Sequence, residues 1–119
     1  MSTPSTLERL ESERAEVGER IDAIRAELVA MHASTVDSNV DDEHDPEGST
    51  VALERAQLDS LLDQATQHLS EIDAATERIA VGEYGTCERC REAIAAERLA
   101  ALPSTRYCVE CAAILQRRA

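Results

Sequence analysis

Two long stretches of this chain carry apolar residues at alternating intervals of three and four, and no other feature limits its fold as strongly. The first stretch places Leu7, Leu10, Arg14, Val17, Ile21, Ile24, Leu28 and Met31 in this register. The second stretch places Val51, Arg55, Leu58, Leu62, Ala65, Leu69, Ile72, Thr76 and Ile79 there. This alternation is the a/d pattern of a coiled-coil seam, so it predicts two long helices that each bury one stripe.

Local signals set the predicted ends of the two helices. Ser5 followed by Glu8 matches a capping box at the start of the first helix. Asp45 and Pro46 suit an N-cap and a first helical residue, and Gly82 suits a C-terminal stop. We therefore predict a helix over 5–33, a tip loop over 34–45 and a helix over 46–81.

Two seams of similar length joined by one loop can pair within a single chain. The prediction for residues 1–81 is an antiparallel coiled-coil hairpin whose helices are each at least ~40 Å long. The same seam residues would also allow pairing between two chains. Local pairing carries little loop-closure entropy, so we expect a monomer.

The segment between the helices is strongly acidic. No Arg or Lys occurs from Ala26 to Glu54, and six carboxylates lie between Val36 and Gly48: Asp37, Asp41, Asp42, Glu43, Asp45 and Glu47. A run of acids is usually a solvated loop that self-repulsion keeps open. At the far end of a long hairpin, the same acids would instead form a charged tip able to enter a narrow space.

The charge of the chain limits its partners. Against 24 Asp and Glu there are 12 Arg and no Lys, which gives a formal net charge of −12. Residues 1–77 hold 5 Arg and 19 acids, whereas residues 78–119 hold 7 Arg and 5 acids. Nonspecific binding to nucleic acid and to anionic membranes is therefore disfavoured. No stretch approaches the ~18 apolar residues of a membrane span, and the expected location is the cytoplasm.

Four cysteines in two pairs predict a metal site. Their spacing is C-x2-C, a 17-residue interval and a second C-x2-C, formed by Cys87, Cys90, Cys108 and Cys111. Such pairs form two tight turns that together close one tetrahedral zinc site with no open coordination position. The prediction is one structural Zn²⁺ in a small module over 82–119. A redox dithiol is the alternative, although two equivalent pairs suit a metal better.

The segment from Gly82 to Cys111 resembles the TraR/DksA C4-type zinc finger. The resemblance lies in the two cysteine pairs at their interval and in Tyr84-Gly85, Ile94, Arg98-Leu99 and Pro103. With the preceding hairpin and its acidic loop, the resemblance extends over nearly the whole chain. It implies a mainly α protein: a coiled-coil hairpin with an acidic tip, then a small C4 zinc finger and a short C-terminal helix.

The resemblance also implies a function. Proteins of this family bind RNA polymerase with the coiled coil in the secondary channel, and they modulate transcription without catalysis and without reading a DNA sequence. The expected tip residues that approach the catalytic centre are Asp42, Glu43, Asp45 and Glu47. The expected docking residues are Arg89, Arg91, Arg98 and Arg106. The alternatives are a zinc-stabilised adaptor for another protein and a thiol redox protein.

The sequence departs from the family pattern at several positions. The family tip motif is Asp-x-x-Asp-x-Ala, and Glu47 stands in place of that Ala. Family members that respond to the nucleotide ppGpp use basic residues where this chain has Glu71, Leu102 and Ala112. Arg91 replaces the glycine that is usual after the second cysteine. We therefore expect little response to ppGpp and an altered first cysteine turn.

Overall fold

The fold is mainly α, as predicted. The computed structural model describes residues 5–38 and 46–118. Within these ranges the elements are α1 (Thr6–Ser38), α2 (Pro46–Ala80), α3 (Ala96–Ala101) and α4 (Val109–Arg118). The same residues form no strand, apart from an isolated antiparallel bridge between Thr86 and Ala93. Among the described helices, none combines the length and the apolar character needed to cross a membrane.

The start of α1 follows its sequence signal, but its end does not. Ser5 Oγ accepts a hydrogen bond from the Glu8 backbone N–H at 3.1 Å, as the capping box predicts. The helix then continues to Ser38, past the predicted end at residue 33. Residues 34–38 include neither Gly nor Pro, so nothing in the backbone stops the helix there. The predicted tip loop thus starts too early, and residues 39–45 lie outside the described ranges.

Gly82 ends α2 by a hydrogen-bonded turn. The helix stops at Ala80, and Gly82 adopts a φ of 77°. The Gly82 N–H donates to the Ile79 carbonyl at 3.2 Å, and the Glu83 N–H donates to the Arg78 carbonyl at 2.8 Å. This is a Schellman motif, in which a left-handed residue satisfies the last carbonyls of a helix. The predicted C-terminal stop is confirmed.

Contacts divide the chain into two compact units. The hairpin unit is Glu16–His68, and the cysteine unit combines Met1–Ala15 with Leu69–Ala119. In the hairpin unit, Val17, Ile21, Ile24 and Ala65 are buried, and all belong to the predicted seams. Residues 27–31 of α1 border a groove together with residues 54–61 of α2, which is the register of an antiparallel pair.

The cysteine unit has its own apolar core. Leu10 of α1 and Ile72 and Ala75 of α2 are fully buried in it. Arg14, the polar member of the first seam, is 54% exposed and forms an ion pair with Asp73 at 2.7 Å. The seam therefore accommodates Arg14 at its surface, where the guanidinium stays largely hydrated.

Candidate metal centre

The four cysteines converge on one point in the cysteine unit. The Sγ atoms of Cys87, Cys90, Cys108 and Cys111 all lie within 4.8 Å of one another. Cys90 Sγ and Cys108 Sγ are 3.9 Å apart. Tetrahedral Zn²⁺ with Zn–S bonds of ~2.3 Å requires sulfur atoms ~3.8 Å apart, so the donor set fits zinc in both chemistry and spacing.

A short hairpin of backbone hydrogen bonds shapes the first cysteine turn. The Cys87 N–H donates to the Glu92 carbonyl at 2.8 Å, and the Arg91 N–H donates to the Cys87 carbonyl at 2.9 Å. Arg91 adopts a φ of 66°, in the left-handed region. The backbone thus keeps the conformation for which glycine is suited, although a side chain there costs about 1 kcal/mol. The predicted difference in the geometry of this turn from that of the family stays a prediction, because the φ of Arg91 describes this chain alone.

Helix α4 carries the second cysteine turn. Cys108 immediately precedes α4, Cys111 lies in its first turn, and the Ala112 N–H donates to the Cys108 carbonyl at 2.9 Å. The positive end of a helix dipole stabilises thiolates placed at its N-terminus. Cys87 and Cys111 are buried with Ile94, and Leu99 and Tyr107 pack against them. The cysteines are therefore also the centre of the apolar core of this module.

The thiols cannot all ionise without a compensating charge. Burial raises the pKa of Cys87, but the backbone N–H groups of Cys90, Cys108 and Arg89 outweigh it and lower this pKa to about 6. For Cys111, a contact from Arg89 lowers the pKa, but burial and the three neighbouring thiols raise it to about 12. A divalent cation supplies the positive charge that four thiolates in this volume need.

A chain of ion pairs connects both cysteine turns to α2. The Arg78 side chain, only 10% exposed, places Nη1 3.7 Å from Glu88 Oε1 and donates through Nη2 to the Thr105 carbonyl at 3.3 Å. Arg106 pairs with Glu71 of α2 and with Glu88 Oε2, the latter at 3.4 Å. Glu88 belongs to the first cysteine turn. Its carboxylate is the counter-charge of two guanidinium groups, that of Arg106 and the nearly buried one of Arg78.

We expect Glu88→Gln to destabilise the cysteine unit by about 1–2 kcal/mol, because it leaves the Arg78 guanidinium without its counter-charge. Thermal unfolding followed by tyrosine absorbance measures this, since the two tyrosines of the chain, Tyr84 and Tyr107, both lie in the cysteine unit. Glu92→Gln is the matched control, because Glu92 is an exposed acid of the same turn. Equal midpoints for the two variants would contradict this role of Glu88.

The predicted docking arginines fall into two classes. Arg89 and Arg91 are exposed. Arg98 is half-buried and donates through Nε to the Tyr107 carbonyl at 2.8 Å, while Arg106 holds the ion pairs described above. Arg98 and Arg106 therefore stabilise the module, and docking stays a prediction for all four. The tip residues Asp42, Glu43 and Asp45 lie outside the described residues, and Glu47 lies in the first turn of α2.

Sequence reasoning missed the roles of Arg78 and Glu88. Arg78 lies in the last turn of α2, where a cation is expected on general grounds because it stabilises the negative end of the helix dipole. Its burial depends on packing of the cysteine turns against α2, which no periodic pattern records. The one sequence signal for Glu88 is its position directly after Cys87. This signal is weak, because acids next to metal ligands are often exposed and unpaired.

The fold and the site define a four-cysteine metal-binding module joined to two long helices. The profile of the prokaryotic dksA/traR C4-type zinc finger matches residues 82–117. The solved structure of transcription factor DksA2 from Pseudomonas aeruginosa is similar over 95% of this chain and 81% of its own, with a TM-score of 0.74 and 26% identity. The chain belongs to the DksA/TraR family of C4-type zinc-finger proteins.

Two further relatives are similar to this chain. An uncharacterized protein of Aquifex aeolicus is 50% identical over 60 residues, which is 50% of this chain and 41% of that protein. A DnaK suppressor protein from Agrobacterium tumefaciens, solved in solution, is 33% identical and covers 87% of this chain and 91% of its own. Its TM-score is 0.45. The matched segment thus spans less than half of the Aquifex protein.

Proposed function

We propose that this protein is a noncatalytic regulator of transcription that binds RNA polymerase through its secondary channel, with the acidic tip directed to the catalytic centre. One observation carries the proposal: similarity to a transcription factor extends over 95% of the chain and therefore includes the long helices as well as the zinc finger. Polymerase as the partner also implies a cytoplasmic location, and no sequence-specific contact with DNA is required.

The metal has a structural role in this proposal. Cys87, Cys90, Cys108 and Cys111 hold one Zn²⁺, which fixes both cysteine turns against α2. Four thiolate ligands leave no position for a water or a substrate, so the ion supplies folding energy and no chemistry. The fit rests on the four convergent Sγ atoms and on their need for positive charge.

The distribution of charge between the two units supports an acidic tip as the acting element. The hairpin unit holds 13 Asp and Glu against 3 Arg, a net charge of −10. The cysteine unit holds 11 acids against 9 Arg and is close to neutral. A carboxylate in a confined site near Mg²⁺ or basic side chains interacts more strongly than it does in water.

Crosslinking to purified RNA polymerase tests the proposed geometry. A photoreactive amino acid at Glu43, in the tip, should crosslink to polymerase segments at the catalytic centre. The same amino acid at Glu97, an exposed position in α3, should crosslink to the outer surface of the enzyme. Binding without crosslinks from residue 43 into the channel would contradict the insertion. An absence of binding would contradict the choice of partner.

We expect ppGpp to leave the effect of this protein on transcription unchanged within about twofold, because a multiply charged anion needs basic partners for charge-assisted hydrogen bonds. Glu71 is a carboxylate engaged by Arg106, and Leu102 is an exposed apolar side chain. In vitro transcription with titrated nucleotide measures this. A strong gain that Leu102→Glu abolishes would contradict the prediction.

A further inference from the structure

A groove in the hairpin unit is the candidate for a second contact with the polymerase. It has a volume of about 440 Å³ and lies between the C-terminal half of α1 and the N-terminal half of α2. Its apolar lining comes from Ala30 and Met31 of α1 and from Leu58 and Leu61 of α2. Leu61 is 49% exposed, so part of its apolar surface remains available.

Carboxylates border this apolar surface. Glu27 of α1 and Glu54 of α2 line the same groove, and both are exposed. The surrounding unit carries a net charge of −10. An apolar contact flanked by acids is complementary to an apolar side chain flanked by Arg or Lys.

We infer that the groove binds an apolar side chain of a basic polymerase segment, which fixes the hairpin unit in place beside its acidic tip. The inference rests on the proposed function and adds a specific contact to it. The apolar side chain enters between Met31 and Leu61, and neighbouring cations approach Glu27 and Glu54. The contact uses no residue of the cysteine unit, because every residue that lines the groove belongs to the hairpin unit.

Charge argues against a second copy of this chain as the occupant. Pairing two hairpin units through the groove would bring together two bodies of net charge −10 each. Like charges across an interface oppose association, whereas a basic partner gains from attraction and from faster encounter. Binding through the groove should therefore weaken as salt increases.

The test is a binding titration of the full chain with purified RNA polymerase. Leu61→Gln should weaken binding about fivefold, because it removes half-exposed apolar surface from the contact. Leu53→Gln is the matched control: Leu53 lies on the same helix and is 60% exposed, but it does not line the groove. Leu61→Met keeps an apolar side chain and should bind as the wild type does. Helicity of each variant is checked by circular dichroism.

The electrostatic part is tested in the same titration. Glu54→Gln should reduce the salt dependence of binding more than Asp59→Asn, because Asp59 is exposed on the same helix outside the groove. Equal affinities for Leu61→Gln and Leu53→Gln would overturn the inference while leaving the proposed function intact. A wild type that fails to bind polymerase would overturn both. A dimer in sedimentation that Leu61→Gln alone dissociates would show that a second copy occupies the groove.

Discussion

Replacing Cys87 with Ser is expected to abolish zinc binding and to unfold the module around the cysteines, while the long helices remain. Zinc content should fall from about one ion per chain to near zero, because the variant lacks one of four thiolate ligands. The module should unfold, because structural zinc sites contribute ~10–16 kcal/mol to folding. Far-ultraviolet circular dichroism should change little, since α1 and α2 hold 33 and 35 residues and α3 and α4 hold 6 and 10. Tyr84 and Tyr107 should lose their near-ultraviolet signal.

Cys90→Ser separates a metal ligand from a packing residue. Cys87 is buried and Cys90 is exposed, yet both contribute an Sγ atom to the same cluster. If metal binding holds the module together, the two variants lose zinc and the tyrosine signal alike. A severe effect of Cys87→Ser beside a neutral Cys90→Ser would reduce the cluster to an apolar core. Chelation of the wild type should reproduce the unfolded module.

The double substitution Asp42→Asn and Asp45→Asn is expected to lower the effect of the protein on transcription by about tenfold or more, equivalent to ~1.4 kcal/mol. The affinity of the variant for polymerase should stay the same or rise. The proposal assigns docking to the cysteine unit and the groove, and it assigns the effect to the tip carboxylates. Asn keeps the size of Asp and is itself a good N-cap at position 45, so the loss of stability should stay below about 1 kcal/mol. Binding titrations and in vitro transcription at saturating protein measure the two quantities.

The matched control removes the same charge elsewhere in the hairpin unit. Asp59 and Asp63 are exposed acids of α2, and their double Asn variant also loses two carboxylates. We expect this control to retain the effect on transcription. Equal losses in both double variants would mean that total charge matters and the tip position does not. Full activity of the tip variant would show that the acidic segment is only a solvated connection.

The sequence predicted the parts of the fold that depend on local or periodic signals. The seam positions Leu10, Val17, Ile21 and Ile72 are buried, because a period of 3.5 residues fixes one face of a helix wherever its partner lies. Gly82 ends α2 through a left-handed conformation, which a single residue type indicates. The cysteine cluster followed from spacing alone, since two short turns can close one metal site.

Features that arise from packing between distant segments were not predictable in this way. The end of α1 is a local exception: the loop is predicted from residue 34, but residues 34–38 hold one acid and neither Gly nor Pro, and the helix continues to Ser38. The sequence predicts Arg98 and Arg106 only as docking residues, but backbone carbonyls and carboxylates of the folded module also engage them. Such assignments need the positions of residues separated by 7 to 35 places in the chain.

The order of segments in the two units has a consequence for folding. The hairpin unit is continuous in sequence, whereas the cysteine unit joins residues 1–15 to residues 69–119. The hairpin unit can therefore assemble from contacts of low sequence separation as soon as its second helix leaves the ribosome. The cysteine unit cannot be complete before Cys111 is synthesised, because all four cysteines form its metal cluster. Complete metal binding therefore follows synthesis of Cys111, and a nascent chain stalled before Cys108 would carry the hairpin unit without a complete cysteine unit.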